Sequence, residues 1–198
     1  MTLAVDADWL RRRLAAVPHA AAPAADDAAF APSASLRAAS VLVPVVERSD
    51  GLTVLFTRRT EHLAHHAGQI SFPGGRAEPG DGSPEATALR ETEEEIGLGP
   101  SRVEVIGRLQ DYCTATGYCI TPVVGLLRPP LELRPDASEV AEVFEVPLPF
   151  LLDPANHRRD SLLRDGQRRE FYAMPYGDYY IWGATAGILV NLHAVLAP

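Results

Sequence analysis

The chain has 198 residues, enough for one domain with appendages to bury a core without disulfide or metal staples. Its 26 acidic residues against 18 basic ones leave a net charge of −8, which argues against a general affinity for nucleic acid or an anionic membrane surface. No apolar run approaches the roughly 20 residues that span a bilayer, the N-terminus has neither the charged start nor the long apolar segment of a secretory leader, and Leu196-Ala197-Pro198 is not a peroxisomal address, so a cytoplasmic location is expected.

In chain order, residues 7–17 read as a short amphipathic helix, with Trp9, Leu10, Leu14 and Val17 on one side and Arg11 to Arg13 toward water. Residues 19–35 are rich in Ala, Pro and Asp and read as a linker. The expected division is 1–35 as helix and linker and 36–198 as the domain. Strands are predicted over 38–46, 52–57, 103–112, 118–127 and 140–146, each rich in Val, Ile or aromatic residues. Helices are predicted at 84–96, 147–152 and 184–196. There is no internal repeat, and the pattern of strands and helices supports the class alone, α+β or α/β. Cys113 and Cys119 are expected to be reduced, partly buried thiols, with no function assigned.

The helix at 84–96 is defined by its punctuation. Ser83 is a natural N-cap, Pro84 suits the first helical position, and Gly97 can supply the left-handed residue that ends the run. At about 100° per residue, Ala86, Leu89 and Ile96 share one arc and Glu91, Glu94 and Glu95 lie opposite. Glu91 and Glu95 are i,i+4 neighbours whose repulsion asks for compensation. A hard divalent cation, Mg²⁺ or Mn²⁺, suits such oxygen ligands. Arg90, four residues before Glu94, is placed to steady it. Gly74-Gly75 is expected to be a tight loop whose backbone can come near a metal or phosphate oxygen. The alternative for the acidic run is a solvated helix face.

Arg90-Glu91-Thr92-Glu93-Glu94-Glu95-Ile96-Gly97-Leu98 resembles the end of the Nudix box, with Gly75 as its opening glycine. Two departures stand out. Thr92 replaces an aliphatic residue, and the early acid fits only as Asp81, with eight residues rather than seven before Arg90. Upstream, Leu55-Phe56-Thr57-Arg58-Arg59-Thr60 and Gly68-Gln69-Ile70-Ser71-Phe72-Pro73-Gly74-Gly75 are similar to the extra motif of the coenzyme A diphosphatase branch, as is Ile181-Trp182-Gly183-Ala184-Thr185-Ala186 near the end. Ala64 stands where that motif would have arginine. The resemblance runs from about residue 38 to the end of the chain.

That resemblance implies an α/β/α sandwich of the Nudix fold and hydrolysis of a diphosphate linkage, with coenzyme A or a derivative as the small-molecule substrate. It implies metal ligation by Glu91, Glu95 and Glu94, catalytic parts for Glu94, Arg90 and Gly75, and substrate binding by Arg59, Arg58 and Gly74. Arg58 and Arg59 alternate on a strand, so one points away from the site, and Arg59 is the preferred phosphate ligand. Glu94 is a candidate general base, as are the loop acids Glu139 and Glu142. His62, His65 and His66 read as loop residues, since Mg²⁺ selects oxygen over imidazole. Trp182 and the tyrosines 172, 176, 179 and 180 read as core or interface. Other nucleoside diphosphates, a catalytically silent nucleotide-binding module and a homodimer through the tryptophan end are the remaining alternatives.

Overall fold

Two valine-rich runs form the spine of the molecule. In the computed structural model, which describes residues 6–15, 24–25, 36–62, 66–164 and 166–197, the order of elements is α1 (Ala7–Ala15), β1 (Ala24–Ala25), β2 (Arg37–Arg48), β3 (Gly51–Arg59), β4 (Ile70–Ser71), β5 (Gly74–Arg76), α2 (Pro84–Ile96), β6 (Val103–Arg108), β7 (Tyr112–Cys113), β8 (Tyr118–Leu127), β9 (Val140–Pro147), α3 (Leu148–Leu152), β10 (Arg158–Arg164), β11 (Gln167–Tyr176), β12 (Tyr179–Trp182) and α4 (Ala184–Leu196). β2 pairs in parallel with β8 from Arg37↔Tyr118 to Val46↔Leu127 and antiparallel with β3. β9 closes against the far edge of β3. The described residues form a nine-stranded mixed sheet and a separate antiparallel sheet of β10, β11 and β12.

Both faces of the large sheet are covered, so its central strands are apolar on both sides. Leu42, Val46 and Leu55 point toward α2, where they meet Ala88 and Ile96. Val43, Val45, Val54 and Phe56 point the other way, into a core shared with Leu10 and Leu14 of α1, Leu148 and Leu151 of α3, and Leu189 and Leu192 of α4. The result is an α/β/α sandwich of the α+β class. α1 is part of this core, although the sequence sets it apart with the linker. Val17 and most of the linker lie outside the described residues, and residues 24–25 pair in parallel with β7.

The sheet forks where the site lies. β2 pairs with β3 only from Val45 to Arg48, and beyond that the two strands separate. β4 pairs with β3 at Thr57 and Arg58, while β5 pairs with β2 from Ala39 to Val41. The segment Phe72-Pro73 therefore bridges the fork, with Leu42 donating its N–H to the Pro73 carbonyl at 2.9 Å. Phe72 is buried and stacks on Phe56, with 5.1 Å between ring centroids.

Three sequence expectations need correction, and one pair of strands was not anticipated. Gly74-Gly75 is a short strand, not a free loop, because β2 offers it an open edge of backbone donors and acceptors. The predicted strand 103–112 is two strands, β6 and β7, with a bulge in β6 at Val105/Gly107. The Arg-rich stretch after residue 157 forms β10 and β11, which alternation of apolar residues does not reveal. The helix 84–96 has the expected ends but a different buried face: Thr87, Ala88, Thr92, Glu95 and Ile96 are buried, while Ala86 is not.

Candidate active site

α2 is capped as its sequence implies. Ser83 Oγ accepts from the Ala86 N–H at 3.1 Å, and Gly97, at φ 70°, closes the C-terminus by donating to the Glu93 carbonyl at 2.9 Å. These caps fix the rotation of the helix, and packing of Ala88 and Ile96 on the sheet turns Glu95 inward. Glu95 is only 6 % exposed. Thr92 is fully buried and donates its hydroxyl back to the Ala88 carbonyl at 2.6 Å, so a polar residue fits the apolar place by bonding within its own helix.

The fork in the sheet presses β5 against this helix. Gly74, at φ 151°, donates its N–H to Glu95 Oε2 at 3.4 Å, and a Cβ there would lie 2.4 Å from the Ser40 carbonyl oxygen. A Cβ on Gly75 would lie 2.4 Å from Glu91 Oε2. Only a bare backbone lets the Glu91 carboxylate sit over this strand.

Arg90 organises the outer half of the cluster. Its Nη1 reaches Glu91 Oε1 at 2.9 Å and Glu94 Oε2 at 3.1 Å, and its Nη2 donates to the Arg76 carbonyl at 3.1 Å. Asp81 grips the other side of the same guanidinium and also accepts the Thr87 hydroxyl and the Glu78 N–H, each at 2.8 Å. These bonds, led by the one from Arg90, hold the Asp81 carboxyl well below the usual carboxylate range. The longer spacing inside the box therefore still delivers an acid to Arg90. Thr87 is a residue sequence reasoning missed; the signal is a threonine one helical turn beyond the cap.

Arg59 organises the inner half. Its Nη1 lies 3.6 Å from Glu95 Oε1 and its Nη2 lies 3.5 Å from Glu139 Oε2. Glu139 arrives on a loop tied to the end of α2: Arg134 and Asp136 donate their N–H groups to the Ile96 and Glu95 carbonyls at 2.7 and 2.9 Å. Those are orphan carbonyls of the last helical turn, so the loop acts as a C-terminal cap. Asp136 Oδ1 accepts the Ser138 N–H at 2.8 Å, an Asx turn legible in the sequence as Asp two residues before Ser.

Burial is the largest influence on the two inner acids. It pushes the Glu95 carboxyl up to about 7, against the pull of Arg59, with Glu139 and Glu91 adding repulsion. It also raises Glu91, opposed by Arg90. Among the described residues, no group of three or more acidic, histidine or cysteine side chains is arranged as a ready metal cage. The carboxylates are instead paired with Arg90 and Arg59. Asp81, Glu91, Glu94, Glu95 and Glu139 nevertheless set five acids against those two guanidiniums. An all-oxygen donor set with excess negative charge, partly desolvated beside bare glycine backbone, fits a hard divalent cation.

The other expected residues are placed as follows. Arg58 points to the opposite face of β3 and pairs with Glu142 at 3.0 Å; Glu142 also accepts the Tyr179 hydroxyl at 2.6 Å, and Tyr179 stacks on Phe144. Arg59 and Glu139 thus share the α2 face, and Arg58 and Glu142 share the other. His66 bonds Gln69 Oε1 through Nδ1 at 2.7 Å and His62 is exposed. Ala64 and His65 lie outside the described residues.

A mixed-sheet sandwich with a carboxylate helix facing a glycine strand suits a class of proteins that handle a metal and phosphate oxygens. The NUDIX domain family model matches residues 36–165, and the chain belongs to that family. The uncharacterized Nudix hydrolase NudL of Escherichia coli K12 is 45% identical over 157 residues, covering 79% of this chain and 81% of that protein. NudL of Shigella boydii serotype 18 matches to the same degree. A MutT/nudix family protein from Enterococcus faecalis has the same fold, with a TM-score of 0.51 at 18% identity over 82% of this chain and 62% of that one. The protein is a Nudix hydrolase. No helix among the described residues is long and apolar enough to cross a membrane.

Proposed function

We propose that this Nudix hydrolase cleaves the diphosphate linkage of coenzyme A or a close derivative, releasing 3′,5′-adenosine bisphosphate and 4′-phosphopantetheine in the cytoplasm. The observation that carries this reading is that Arg59, from the upstream signature, lies 3.6 Å from Glu95 of the box. Two motifs from separate parts of the chain thus meet in one ion pair.

Mg²⁺ or Mn²⁺ held by Glu91, Glu94 and Glu95 would supply charge neutralisation at the phosphate oxygens and a more acidic water. Around that centre, each residue has a task. Arg90 orients Glu91 and Glu94, and Asp81 orients Arg90. Gly74 and Gly75 leave room for the carboxylates and for a phosphate oxygen. The guanidinium of Arg59 offers a fork that matches phosphate geometry. Attack forms a bond from the water oxygen to one phosphorus while the bond from that phosphorus to the bridging oxygen breaks, the bridging oxygen keeping the electron pair. Glu94, the more exposed acid, takes the water's proton. Glu139 is the second reading for this base, favoured by its approach to Arg59 at 3.5 Å.

The test is to incubate the enzyme with Mg²⁺ or Mn²⁺ and coenzyme A, ADP-ribose, NADH or a diadenosine polyphosphate, and to identify products by mass spectrometry. Preferential release of 4′-phosphopantetheine supports the assignment. Preference for another diphosphate keeps the chemistry and discards coenzyme A, while nucleotide binding without cleavage supports a silent module.

A further inference from the structure

The two cysteines, which the hydrolytic chemistry does not use, stand directly opposite each other on neighbouring antiparallel strands, Cys113 of β7 against Cys119 of β8. The strands turn through Thr114 to Gly117, where the Gly117 N–H donates to the Thr114 carbonyl at 3.1 Å and the Thr114 N–H donates to the Tyr118 carbonyl at 2.8 Å. That last bond makes Thr114 and Tyr118 a hydrogen-bonded pair. The adjacent pair, Cys113 and Cys119, is therefore of the non-hydrogen-bonded kind, in which side chains come closest. Their Sγ atoms lie 2.7 Å apart, well inside van der Waals contact of two sulfurs, and both are free thiols. Strand pairing has thus already brought the thiols together, and closing a bond asks for little backbone movement.

We propose that Cys113 and Cys119 form a reversible intramolecular disulfide, a redox clasp across the β7–β8 turn. The oxidant is a small-molecule disulfide. One cysteine thiolate, having lost its proton, attacks a sulfur of the small disulfide; a mixed disulfide forms and one small thiolate leaves and takes up that proton. The second cysteine then attacks the protein sulfur, the protein disulfide forms, and the second small thiol is released in the same way. Two protein thiols are oxidised and one small disulfide is reduced to two thiols.

Both the resting state and the kinetics follow from the surroundings. Burial, followed by the neighbouring Cys113, pushes the Cys119 thiol up to about 12, so Cys119 rests as a thiol at neutral pH. Attack by Cys119 is slow for that reason, and the clasp responds to the sustained thiol–disulfide ratio. The consequence is structural. β7 also carries the parallel pairing to residues 24–25 and the buried Tyr112, whose hydroxyl oxygen lies where a Cβ on Gly187 of α4 would come within 2.2 Å. A bond between Cys113 and Cys119 fastens this short strand to β8, which is paired along its length with β2.

The test equilibrates the full-length protein anaerobically in glutathione buffers of increasing disulfide fraction, blocks free thiols with an alkylating agent, and reads the intact mass. The expected result is concerted loss of both alkylatable thiols without a glutathione adduct, reversed by dithiothreitol. Oxidation should also raise Tm by about 5 °C, by constraining the unfolded chain. Cys113→Ser and Cys119→Ser should each hold one glutathione instead. Two free thiols at every buffer ratio, or a lasting glutathione adduct on the wild-type protein, overturn the proposal. An unchanged Tm with the bond formed overturns its role as a clasp. Both wild-type readouts stand even if neither serine variant folds.

Discussion

Asp81 holds Arg90 with both carboxylate oxygens, Arg90 Nε to Oδ1 at 2.8 Å and Nη2 to Oδ2 at 3.0 Å. Forked pairing of this kind sets the plane of the guanidinium as well as its position. The same guanidinium touches Glu91 and Glu94, so the orientation of two site acids is decided by a residue that touches neither.

Replacing Asp81 by Ala should therefore lower kcat by on the order of 100-fold with little change in KM, since a displacement of about 1 Å in positioned groups costs that much. Asp81→Asn keeps the acceptor for Thr87 but loses the charge, and should fall between the two. Steady-state kinetics of both variants checks this. Equal, small losses in kcat for both would reduce Asp81 to a loop residue.

Glu95→Gln should lower turnover by orders of magnitude and leave the fold intact. In metal-free protein at pH 8 the variant should be more stable than wild type by on the order of 2 kcal/mol, because burial penalises the charged carboxylate and the amide removes that penalty. Arg59 keeps Glu139, and the Gly74 N–H keeps an oxygen acceptor. Urea melts in the presence of a chelator measure the change; lower stability for the variant would show that Arg59 outweighs burial.

The glutamate helix was legible in the sequence because its boundaries are local: a serine cap, a proline in the first turn and a terminal glycine act through bonds within a few residues. β8 was legible for a similar reason, as a ten-residue run that is apolar in its second half. The partners of the helix were not. Arg59 and Glu139 come from segments 80 residues apart, and nothing in either segment announces the other. Periodicity set Glu95 opposite the core, but the real buried face is set by what packs on the helix, and β5 with Arg59 and Glu139 covers Glu95. β5 itself is Gly-Gly-Arg, with no intrinsic strand preference, and is made a strand by the open edge of β2.

Gly75→Ala isolates a steric requirement. Gly75 does not have a left-handed backbone, so alanine meets no dihedral penalty there, but its methyl would sit 2.4 Å from Glu91 Oε2. Glu91 must move, and Arg90 with it. The expected outcome is roughly a tenfold or greater loss of Mn²⁺ affinity, comparable to disturbing groups that orient a metal ligand, with a Tm within a few degrees of wild type. Isothermal titration with Mn²⁺ and a thermal melt read the two quantities separately. Unchanged affinity would mean that Glu91 does not ligate the ion.

Away from the site, Glu145 ties β9 to the β2–β3 hairpin and offers a clean pH test. It accepts from Arg48 Nε at 3.0 Å and from the Thr53 hydroxyl at 2.5 Å. Burial pushes its carboxyl up, but the bonds from Arg48 and Thr53 outweigh burial and hold it below the ordinary glutamate value. A carboxyl depressed in the folded state contributes stability that is present above its unfolded pKa of about 4.3 and is lost as pH falls through the folded value. Glu145→Gln should thus cost roughly 1 kcal/mol at pH 7, within the range for a hydrogen-bonded, partly exposed ion pair. The same deficit should hold at pH 6, begin to shrink near pH 4 and vanish in stronger acid, where the wild-type carboxyl is also neutral. Paired urea melts of wild type and variant across that range measure the difference directly. A deficit that widens on acidification, or that does not change with pH, would contradict the ion pair as the source of the stability.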